Sequence, residues 1–452
     1  MSKFSRIYQR ILPSPFTIAV ILTLITFVGA LFFKPEAKAW NTYLVELTGF
    51  WEEGLWDPGK GGLYFAFQMM LMLILGHVLA LSKPVSKLID GITYFCKNTA
   101  TSALFITFFT ILISFFSWGL ALIFGAILAR KTGEKFSDQK KKLNYGLIGA
   151  CGYVGLMTWH GGLSGSAPLK AAEKGNLQEM MGKTAGIPES VPITDTILSQ
   201  GNITIFVALL IILPLCMYWM GKKSNGAVPQ LNTFREVNKK EEQPTGAEKI
   251  DHSSIPGILL GSVIVIYLVY KMFQKEGSSV IDPNFINLFL FGLCLIMHQS
   301  FQRFLKGVNY AIGDASGILI QFPLYFGIIG IMKSSGMIDT ISSWFVMHST
   351  ADTFPFVTFF SAGMVNIFVP SGGGQWVVQG PIIINAAQEM GIPFSKVILS
   401  LSYGDQLTNM LQPFWALPLL GITGLKAQKI LPYTLFLFVM GVIIFGLGIF
   451  LI

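Results

Sequence analysis

Runs of apolar residues long enough to cross a lipid bilayer recur along this chain from one end to the other. The first, residues 16–33, contains no charged residue over 18 positions, and a bilayer-crossing helix needs about 20 predominantly apolar residues. Of the whole chain 12% is charged, and its mean hydropathy is +0.60; ordinary globular domains are about 25% charged. This pattern predicts an all-α polytopic membrane protein. Because no A-x-A cleavage site follows the first run, that run is predicted to be a retained helix.

Basic residues are concentrated in short segments between the apolar runs, so the net charge of +8 is explained by topology rather than by nucleic-acid binding. Lysine and arginine prefer the cytoplasmic side of a membrane. On this rule the N-terminus is cytoplasmic, and the inside segments hold 22 of the 32 lysines and arginines. All the segments between the apolar runs are predicted to be loops or termini. The inside segments are 1–15, 83–100, 130–144, 220–254, 302–312 and 425–430. The outside segments are 34–62, 170–195, 271–284, 333–353 and 388–396.

Two apolar segments begin and end on the same side of this predicted topology. Segment 101–129 lies between two basic loops and, at 29 residues, is too short for two full spans. It is predicted to be a re-entrant hairpin that enters from the inside and bends near Ser117-Trp118-Gly119. Segment 354–387 lies between loops poor in lysine and arginine, so it is predicted to be a second hairpin that enters from the outside.

The bend of the second hairpin is predicted from one stretch, Val369-Pro370-Ser371-Gly372-Gly373-Gly374-Gln375-Trp376. Neither a spanning helix nor a buried strand readily accommodates one proline and three consecutive glycines. In lipid, irregular backbone persists only where protein or a water-filled cavity surrounds it. The stretch therefore predicts a hairpin tip that points into a binding site.

The two halves of the chain are related by a weak repeat at an offset of 258 residues. Residues 133–146 and 391–404 share six identities over 14 positions without a gap. Inverted repeats with broken helices are typical of secondary transporters. The predicted organisation is two halves, 1–219 and 255–452, joined by a cytoplasmic linker, 220–254. The first half contains hairpin 101–129 and broken span 145–169, and the second contains hairpin 354–387 and polar span 397–424. In total, about nine full spans and two hairpins are predicted.

Three groups of polar residues are candidates for the chemistry of this site. The hairpin tips offer hydroxyl and backbone N–H donors that suit a carboxylate, helped by helix N-termini. The broken span offers free carbonyls and hydroxyls for Na⁺ or part of an anion, and a histidine that can exchange a proton near neutral pH. The candidate substrate-binding residues are Ser117, Trp118, Gly119, His160, Ser164, Ser166, Ser371, Gly372, Gly373, Gly374, Gln375 and Asn409, with Asn366 flanking the second tip.

The third group lies in the polar span 397–424. Asp405, Thr408, Asn409 and Gln412 have the spacing of one helix face. An ionisable group at membrane depth is a functional candidate, so Asp405 is predicted to carry a coupling proton or to help bind a cation. Thr158 joins these four as a candidate for the coupling ion. The alternative is an aspartate that is hydrated near a helix end at the outer interface.

Other polar residues carry weaker signals. The four cysteines are far apart and without metal or redox spacing, and no cofactor or firm metal site is expected beyond a coupling Na⁺ or H⁺. Enzyme signatures such as H-E-x-x-H, G-x-S-x-G and the Walker A sequence are missing from the sequence. His77, His298, Asp314 and Gln321 are lone polar groups that are typical of helix contacts or caps.

With these motifs in view, the chain resembles the short-chain fatty acid transporter family of bacterial inner membranes, over nearly its whole length. The resemblance implies uptake of small monocarboxylates such as butyrate or acetoacetate, and a multi-pass protein of the cytoplasmic membrane that is not an enzyme. By analogy with a wider ion-transporter superfamily it also implies an elevator mechanism and a homodimer. It is carried by 369–381 (VPSGGGQWVVQGP), 401–409 (LSYGDQLTN) and 158–166 (TWHGGLSGS).

The function expected from the sequence is secondary transport of short-chain carboxylates, driven by H⁺ or Na⁺. Lysine and arginine are missing from the depth of the apolar spans, so carboxylate binding is expected to use backbone dipoles and hydroxyls. Two other classes stay open: a membrane-embedded enzyme that processes acyl groups, with His160 and Asp405 as its acid–base pair, and an anion channel.

Overall fold

The computed structural model describes residues 14–56, 62–181, 186–224, 226–231, 246–274 and 283–452. Apart from one isolated bridge between Leu143 and Ala227, their regular structure is helical. The α-helices are α1 (Pro15–Leu31), α2 (Trp40–Trp56), α3 (Gly62–Leu81), α4 (Lys83–Thr93), α5 (Thr99–Phe116), α6 (Trp118–Asp138), α7 (Tyr145–Tyr153), α8 (Ser166–Ala172), α9 (Asn176–Met180), α10 (Gln200–Lys223), α11 (Glu248–His252), α12 (Ile255–Gln274), α13 (Pro283–His298), α14 (Phe301–Ala311), α15 (Ser316–Ser334), α16 (Met337–Met347), α17 (Phe354–Phe368), α18 (Gly372–Met390), α19 (Phe394–Thr408), α20 (Leu417–Thr423) and α21 (Ala427–Gly448).

Long apolar helices are fewer than the nine full spans predicted from the sequence. Within the described ranges, five helices are long and apolar enough to cross a membrane, or six if the bent pair Ala66–Leu81 and Lys83–Thr93 counts as one span. Other predicted spans form shorter helices, such as the 17 residues of α1 and the 16 of α13. The predicted number of spans, the inverted repeat and the division into two halves stay predictions. Residues 225 and 232–245 of the predicted linker lie outside the described residues.

Several segments that the sequence analysis treats as loops are helical. Helix α2 occupies most of 34–62, α4 lies in 83–100, α14 lies in 302–312 and α16 lies in 333–353. A search for long apolar runs overlooks such helices because charged or polar residues alternate with apolar ones at helical spacing and lower the mean hydropathy. In α14, for example, Phe304 and Gly307 are buried, whereas Arg303 and Lys306 lie on other faces.

The first predicted hairpin is longer than expected. The chain breaks at Ser117, as predicted, but α6 continues to Asp138 through residues assigned to a basic loop. The pair α5–α6 therefore covers 40 residues instead of 29, and α5 alone is apolar enough to cross a membrane. The length argument for a re-entrant hairpin is thus wrong, and only the charge argument still supports it.

Close helix contacts in the site-bearing part of the chain depend on glycine. Gly125 of α6 and Gly152 of α7 face each other, and a Cβ on either would collide with the backbone carbonyl of the other. Gly404 of α19 lies in the same way against the carbonyl of Phe359 in α17. Helix association in a bilayer depends on such close packing, since lipid supplies no hydrophobic driving force between helices. These contacts hold α6 against α7 and α17 against α19, and these four helices adjoin the broken segments.

The two spans predicted to be interrupted are both broken, and in a similar way. Helix α7 passes through a 3₁₀ turn, Val154–Met157, into the irregular residues 158–165 and then into α8. Helix α19 passes through the 3₁₀ turn Asn409–Leu411 into the irregular residues 412–416 and then into α20. We call 158–165 the first broken segment and 412–416 the second broken segment.

Candidate functional site

Each hairpin tip is a serine that caps the helix that follows it. Ser117 has an extended backbone (φ −156°, ψ 120°), and its Oγ accepts a hydrogen bond from the N–H of Leu120 at 3.4 Å. Ser371 is similar (φ −150°, ψ 100°), and its Oγ accepts from the N–H of Gly374 at 3.2 Å. A side-chain oxygen in this position satisfies one of the free N–H groups at a helix start. The two predicted bends therefore have the same local structure.

The first tip contacts both broken segments. The N–H of Trp118 donates to Ser164 Oγ at 3.0 Å, and the N–H of Leu163 donates to the carbonyl of Phe115 at 2.6 Å. The Trp118 ring lies 6.0 Å from the ring of Trp159 in the first segment and 5.1 Å from the ring of Trp415 in the second, between centroids. Gly119, also predicted at this tip, instead packs against Met72 of α3.

The second tip lies against the first broken segment. A Cβ on Gly372 would stand 2.7 Å from His160 Cε1 and 2.9 Å from Trp159 Cη2. A Cβ on Gly373 would have Ser166 as its nearest neighbour, at 3.9 Å. The backbone N–H groups of Gly372 and Gly373 have no hydrogen-bond acceptor in the described part of the chain. The tip therefore places two free donors and the positive end of α18 close to His160.

Trp159 lies between the two tips. Its ring stacks on the imidazole of His160, with centroids 4.4 Å apart and planes 7° apart. Its side chain is buried, and the indole Nε1 has no hydrogen-bond partner among the described residues. A buried indole N–H usually finds a partner. Trp159 was quoted in the sequence motif but not chosen as a site residue; its position between both tips makes it a candidate donor.

His160 and Asp405 form a buried pair that joins the two broken spans. His160 Nδ1 is 2.5 Å from Asp405 Oδ2, and the two side chains are 0% and 1% exposed. The backbone N–H of Ala167 donates to His160 Nε2 at 3.1 Å. Because Nε2 accepts a hydrogen bond, the ring is assigned as the neutral tautomer that donates its Nδ1 proton to Asp405. The alternative of an aspartate hydrated at the outer interface is wrong, because Asp405 is enclosed by protein.

The other oxygen of this carboxyl group, Asp405 Oδ1, is buried and has no hydrogen-bond partner in the part of the chain that the structure describes. The only ion pair of Asp405 in the described residues is the one with His160. A buried carboxylate normally has several donors or a cation beside it. Asp405 Oδ1 is therefore an unused acceptor at the centre of the molecule.

Three residues that the sequence analysis did not select support this pair. Gln406 Oε1 accepts from the N–H of His160 at 2.7 Å and lies 3.4 Å from that of Gly161. Asn202 Nδ2 donates to the carbonyl of Gly161 at 2.8 Å, and the Tyr403 hydroxyl donates to Asn202 Oδ1 at 2.7 Å. These groups satisfy the backbone freed by the break, as a bilayer interior requires. The signal that could have identified Gln406 and Asn202 is a lone side-chain amide inside an apolar run.

Asn366 of α17 holds the start of the second break. Its Nδ2 lies 2.7 Å from the carbonyl oxygen of Asp405, 2.9 Å from Thr408 Oγ1 and 3.0 Å from Asn409 Oδ1. Gln412 Nε2 in turn donates to the carbonyl of Asn366 at 3.2 Å. The predicted cluster is therefore assembled, but the predicted helix face is wrong. Helix α19 ends at Thr408, Asn409 lies in a 3₁₀ turn and Gln412 has an extended backbone.

Three of the five oxygen-bearing side chains proposed from the sequence for Na⁺ have their oxygens engaged by hydrogen bonds, whereas Asp405 Oδ1 and Gln412 Oε1 have no partner among the described residues. Thr158 Oγ1 lies 2.6 Å from Ser114 Oγ and 3.2 Å from the carbonyl of Gly155. Asn409 Oδ1 accepts from the side-chain amides of Asn366 and Gln412, and Thr408 Oγ1 accepts from Asn366. Na⁺ needs several converging free oxygens. Thr158, Thr408 and Asn409 offer no free side-chain oxygen in this arrangement, and the described residues contain no group of three or more histidine, cysteine or acidic side chains that could hold a metal; Na⁺ binding stays a prediction.

The remaining candidates lie away from His160. Gln375 is buried within the second hairpin, where its Nε2 donates to the carbonyl of Ala362 at 2.8 Å and to Gln379 Oε1 at 2.6 Å. His298 Nε2 lies 2.7 Å from the carbonyl of Val78, and the His77 ring packs against that of Tyr310. Gln321 lies in α15, and the side chain of Asp314 is outside the described set. These contacts of His298 and His77 do not involve the broken segments.

A small void lies beside the pair, between α10 and the first broken segment. Its volume is about 10 Å³, close to the minimum needed for one water molecule. A carboxylate of several carbon atoms does not fit this void unless its walls move. Thr158, Gly161, Asn202, Phe206, Tyr403 and Gln406 are among its lining residues.

Apolar helices of membrane-crossing length, two broken spans and two capped tips around a buried ionisable pair define a multi-pass membrane protein of the transporter class. The chain belongs to the short-chain fatty acid transporter family: the family description "Short chain fatty acid transporter" matches residues 1–452. This confirms the resemblance noted in the sequence.

Curated relatives match over nearly the full length. A protein of Escherichia coli (strain K12), named as a candidate short-chain fatty acid transporter, is 35% identical over 99% of this chain and 98% of its own. A Haemophilus influenzae protein with the same name is 34% identical over 97% and 96%. Among solved structures, the Alcanivorax borkumensis YdaH transporter covers 97% of this chain and 98% of its own, at 12% identity and a TM-score of 0.44. A likeness at that TM-score carries no argument here.

Proposed function

We propose that this protein is a secondary active transporter of short-chain fatty acids, of the butyrate and acetoacetate class, and that a cation gradient of H⁺ or Na⁺ drives it. The substrate class is carried over from the family and from the names of the two curated relatives. The observation that carries the proposal is the convergence of both tips on Trp159 and His160 of the first broken segment, beside Asp405 near the end of α19. Secondary transporters bind substrate in this kind of place.

The proposed carboxylate site uses N–H and O–H donors instead of a basic side chain. The free N–H groups of Gly372 and Gly373, the unpartnered Trp159 Nε1 and the hydroxyls of Ser166 and Ser371 supply such donors. A helix N-terminus with free N–H groups attracts anions. Glycine at the tip lets a substrate approach the backbone closely.

The wider organisation is part of the same proposal. The two broken spans have the same order of helix, 3₁₀ turn, irregular segment and short helix, which supports an inverted repeat. The protein would lie in the bacterial inner membrane with its N-terminus in the cytoplasm, form a homodimer and carry its site across the membrane in an elevator movement. The proposed re-entrant hairpins would be the moving elements.

Uptake of labelled butyrate into proteoliposomes tests the function. Saturable uptake under an H⁺ or a Na⁺ gradient is expected, and its failure under both would contradict the proposal. Short-chain acids also cross lipid in their undissociated form, so protein-free vesicles supply the background at each pH. The variant Ser371→Val, which removes the cap of α18, should lower the uptake of correctly inserted protein.

Two further assays separate the two other classes of protein, an acyl-processing enzyme and a channel. The His160–Asp405 contact resembles the acid–base pair that an acyl-processing enzyme would need. Chemical conversion of the substrate in detergent, where no gradient exists, would indicate an enzyme. Counterflow, in which unlabelled substrate inside accelerates entry of labelled substrate, would exclude a channel because exchange requires an alternating site.

A further inference from the structure

The carboxyl group of Asp405 has one oxygen in use and one free. Oδ2 accepts the Nδ1 proton of His160, whereas Oδ1 is buried without any partner in the described residues. Both nitrogens of His160 are engaged, since Nε2 accepts from the N–H of Ala167. A proton that reaches this pair therefore has one unoccupied acceptor, and that acceptor is Asp405 Oδ1.

The elements around the pair bring no balancing positive charge in the described part of the chain. Helix α17 brings the Asn366 amide, α18 brings Gly372, α10 brings Asn202 and α8 brings the Ala167 N–H. The nearby titratable side chains are Tyr153 and Tyr403, whose hydroxyls donate to the Asn409 carbonyl and to Asn202 Oδ1. With Nδ1 donating and Nε2 accepting, the imidazole is neutral, so an ionised Asp405 carboxylate would give the pair one negative charge.

A second carboxylate bound near His160 would meet this charge in a medium of low polarity, where like charges repel strongly. Protonation of Asp405 removes the repulsion. It also turns Oδ1 into an O–H donor, and a donor is what an incoming carboxylate can accept from.

We propose that Asp405 Oδ1 is the proton-binding site through which this protein couples H⁺ to its substrate, with His160 as the residue that positions the carboxyl group. The inference rests on the proposed function and selects H⁺ over Na⁺. One proton from the outer solution adds to Oδ1, no other bond is made or broken, and the carboxylate then binds beside the neutral acid. Both leave on the other side, so one H⁺ and one carboxylate move together and no net charge crosses the membrane.

The variant Asp405→Asn tests this step. The amide oxygen can accept from His160 Nδ1, and the amide nitrogen takes the place of the protonated Oδ1, so the variant resembles the protonated state but cannot release the proton. Counterflow should persist in Asp405→Asn and lose its dependence on pH, whereas accumulation driven by a pH gradient should fall to the level of protein-free vesicles. The control is Asp339→Asn, an exposed carboxylate at the start of α16, which should behave as the unchanged protein does.

Failure of the proton-site inference can be distinguished from failure of the proposed transport function. If the unchanged protein shows neither uptake nor counterflow, the transporter proposal fails. If the wild-type protein transports butyrate and Asp405→Asn still accumulates it when a pH gradient is imposed, the assignment of Asp405 Oδ1 as the proton-binding site is wrong. Loss of counterflow in a correctly folded Asp405→Asn would also contradict it, because a neutral residue 405 should bind substrate.

A measurement on the unchanged protein covers the case in which the variant does not fold. When butyrate is added, weakly buffered proteoliposomes should take up one proton per substrate in excess of the uptake by protein-free vesicles, which reports undissociated acid that crosses the lipid. A potassium diffusion potential at equal pH should not drive accumulation. Accumulation that follows a Na⁺ gradient and ignores the pH gradient would overturn the inference.

Discussion

Gly372 lies against the imidazole of His160, so close that a Cβ on the glycine would stand 2.7 Å from His160 Cε1 and 3.1 Å from Nε2. This contact joins the tip of the second hairpin to the first broken segment. His160 in turn contacts Asp405 at the end of α19. The tip of the second hairpin, the first broken segment and the end of α19 therefore all meet at His160.

The variant Gly372→Ala should impair transport, because the added methyl group must push the tip away from His160 and Trp159. Uptake of butyrate by inserted protein should fall about tenfold or more, which corresponds to about 1.4 kcal/mol or more in the transition state. Gly446→Ala in α21 is the control, since its Cβ would meet no atom within 4 Å. Equal uptake by the two variants would show that this contact is not needed for transport.

The variant Gln406→Met should destabilise the protein and also lower its rate of transport. Methionine has a similar length but cannot accept the hydrogen bond from the N–H of His160. A buried donor left unpaired costs about 1–3 kcal/mol, so the midpoint of thermal unfolding in detergent should fall. The exposed Gln139, which follows α6, supplies the control Gln139→Met; a similar fall in both variants would contradict the role given to Gln406.

The variant Gly125→Ala should disrupt the contact between α6 and α7. Its Cβ would collide with the carbonyl of Gly152, and a backbone atom cannot turn aside as a side chain can. We expect a lower yield of monodisperse protein and a lower unfolding midpoint. In Gly49→Ala the Cβ meets nothing within 4 Å, so that helical position should tolerate alanine or gain up to about 1 kcal/mol; failure of both variants alike would count against the packing argument.

Cysteine labelling tests the proposed topology of the two hairpins. Single cysteines at the exposed positions 97 and 139 flank α5–α6. Of two further exposed positions, 352 precedes α17 and 389 lies in the last turn of α18. After replacement of the four native cysteines, a membrane-impermeant maleimide should label positions 352 and 389 in intact cells, and positions 97 and 139 only after lysis. Opposite accessibility of 97 and 139 would mean that α5–α6 crosses the membrane, against the re-entrant proposal.

The breaks in this fold could be predicted from sequence because proline, glycine and serine within an apolar run act locally. Ser117, Ser371 and the first broken segment were all located in this way. The short helices α2, α4, α14 and α16 were not, because their apolar residues form a face instead of a run. The basic segment 130–138 continues α6, and positive charge alone does not end a helix.

The candidate site was predicted in part because its members lie in recognisable motifs. Asp405 and His160 were selected separately, but no local pattern shows that they contact each other, since 245 residues separate them. Gln406 was missed because a helix-face pattern through Asp405, Thr408 and Asn409 excludes the next residue along the chain. In the first broken segment, His160 contacts Asp405 through its ring and Gln406 through its backbone N–H. Inside a regular helix that N–H would already be bonded within the helix.

The covering of His160 by Gly372 has a consequence for chemical modification. An imidazole that is 0% exposed, with both nitrogens engaged, is protected from an acylating reagent such as diethyl pyrocarbonate. It becomes reactive only while the tip is lifted from it. The rate at which His160 is acylated would therefore measure how often the tip opens, and a ligand that holds the tip down should slow that reaction.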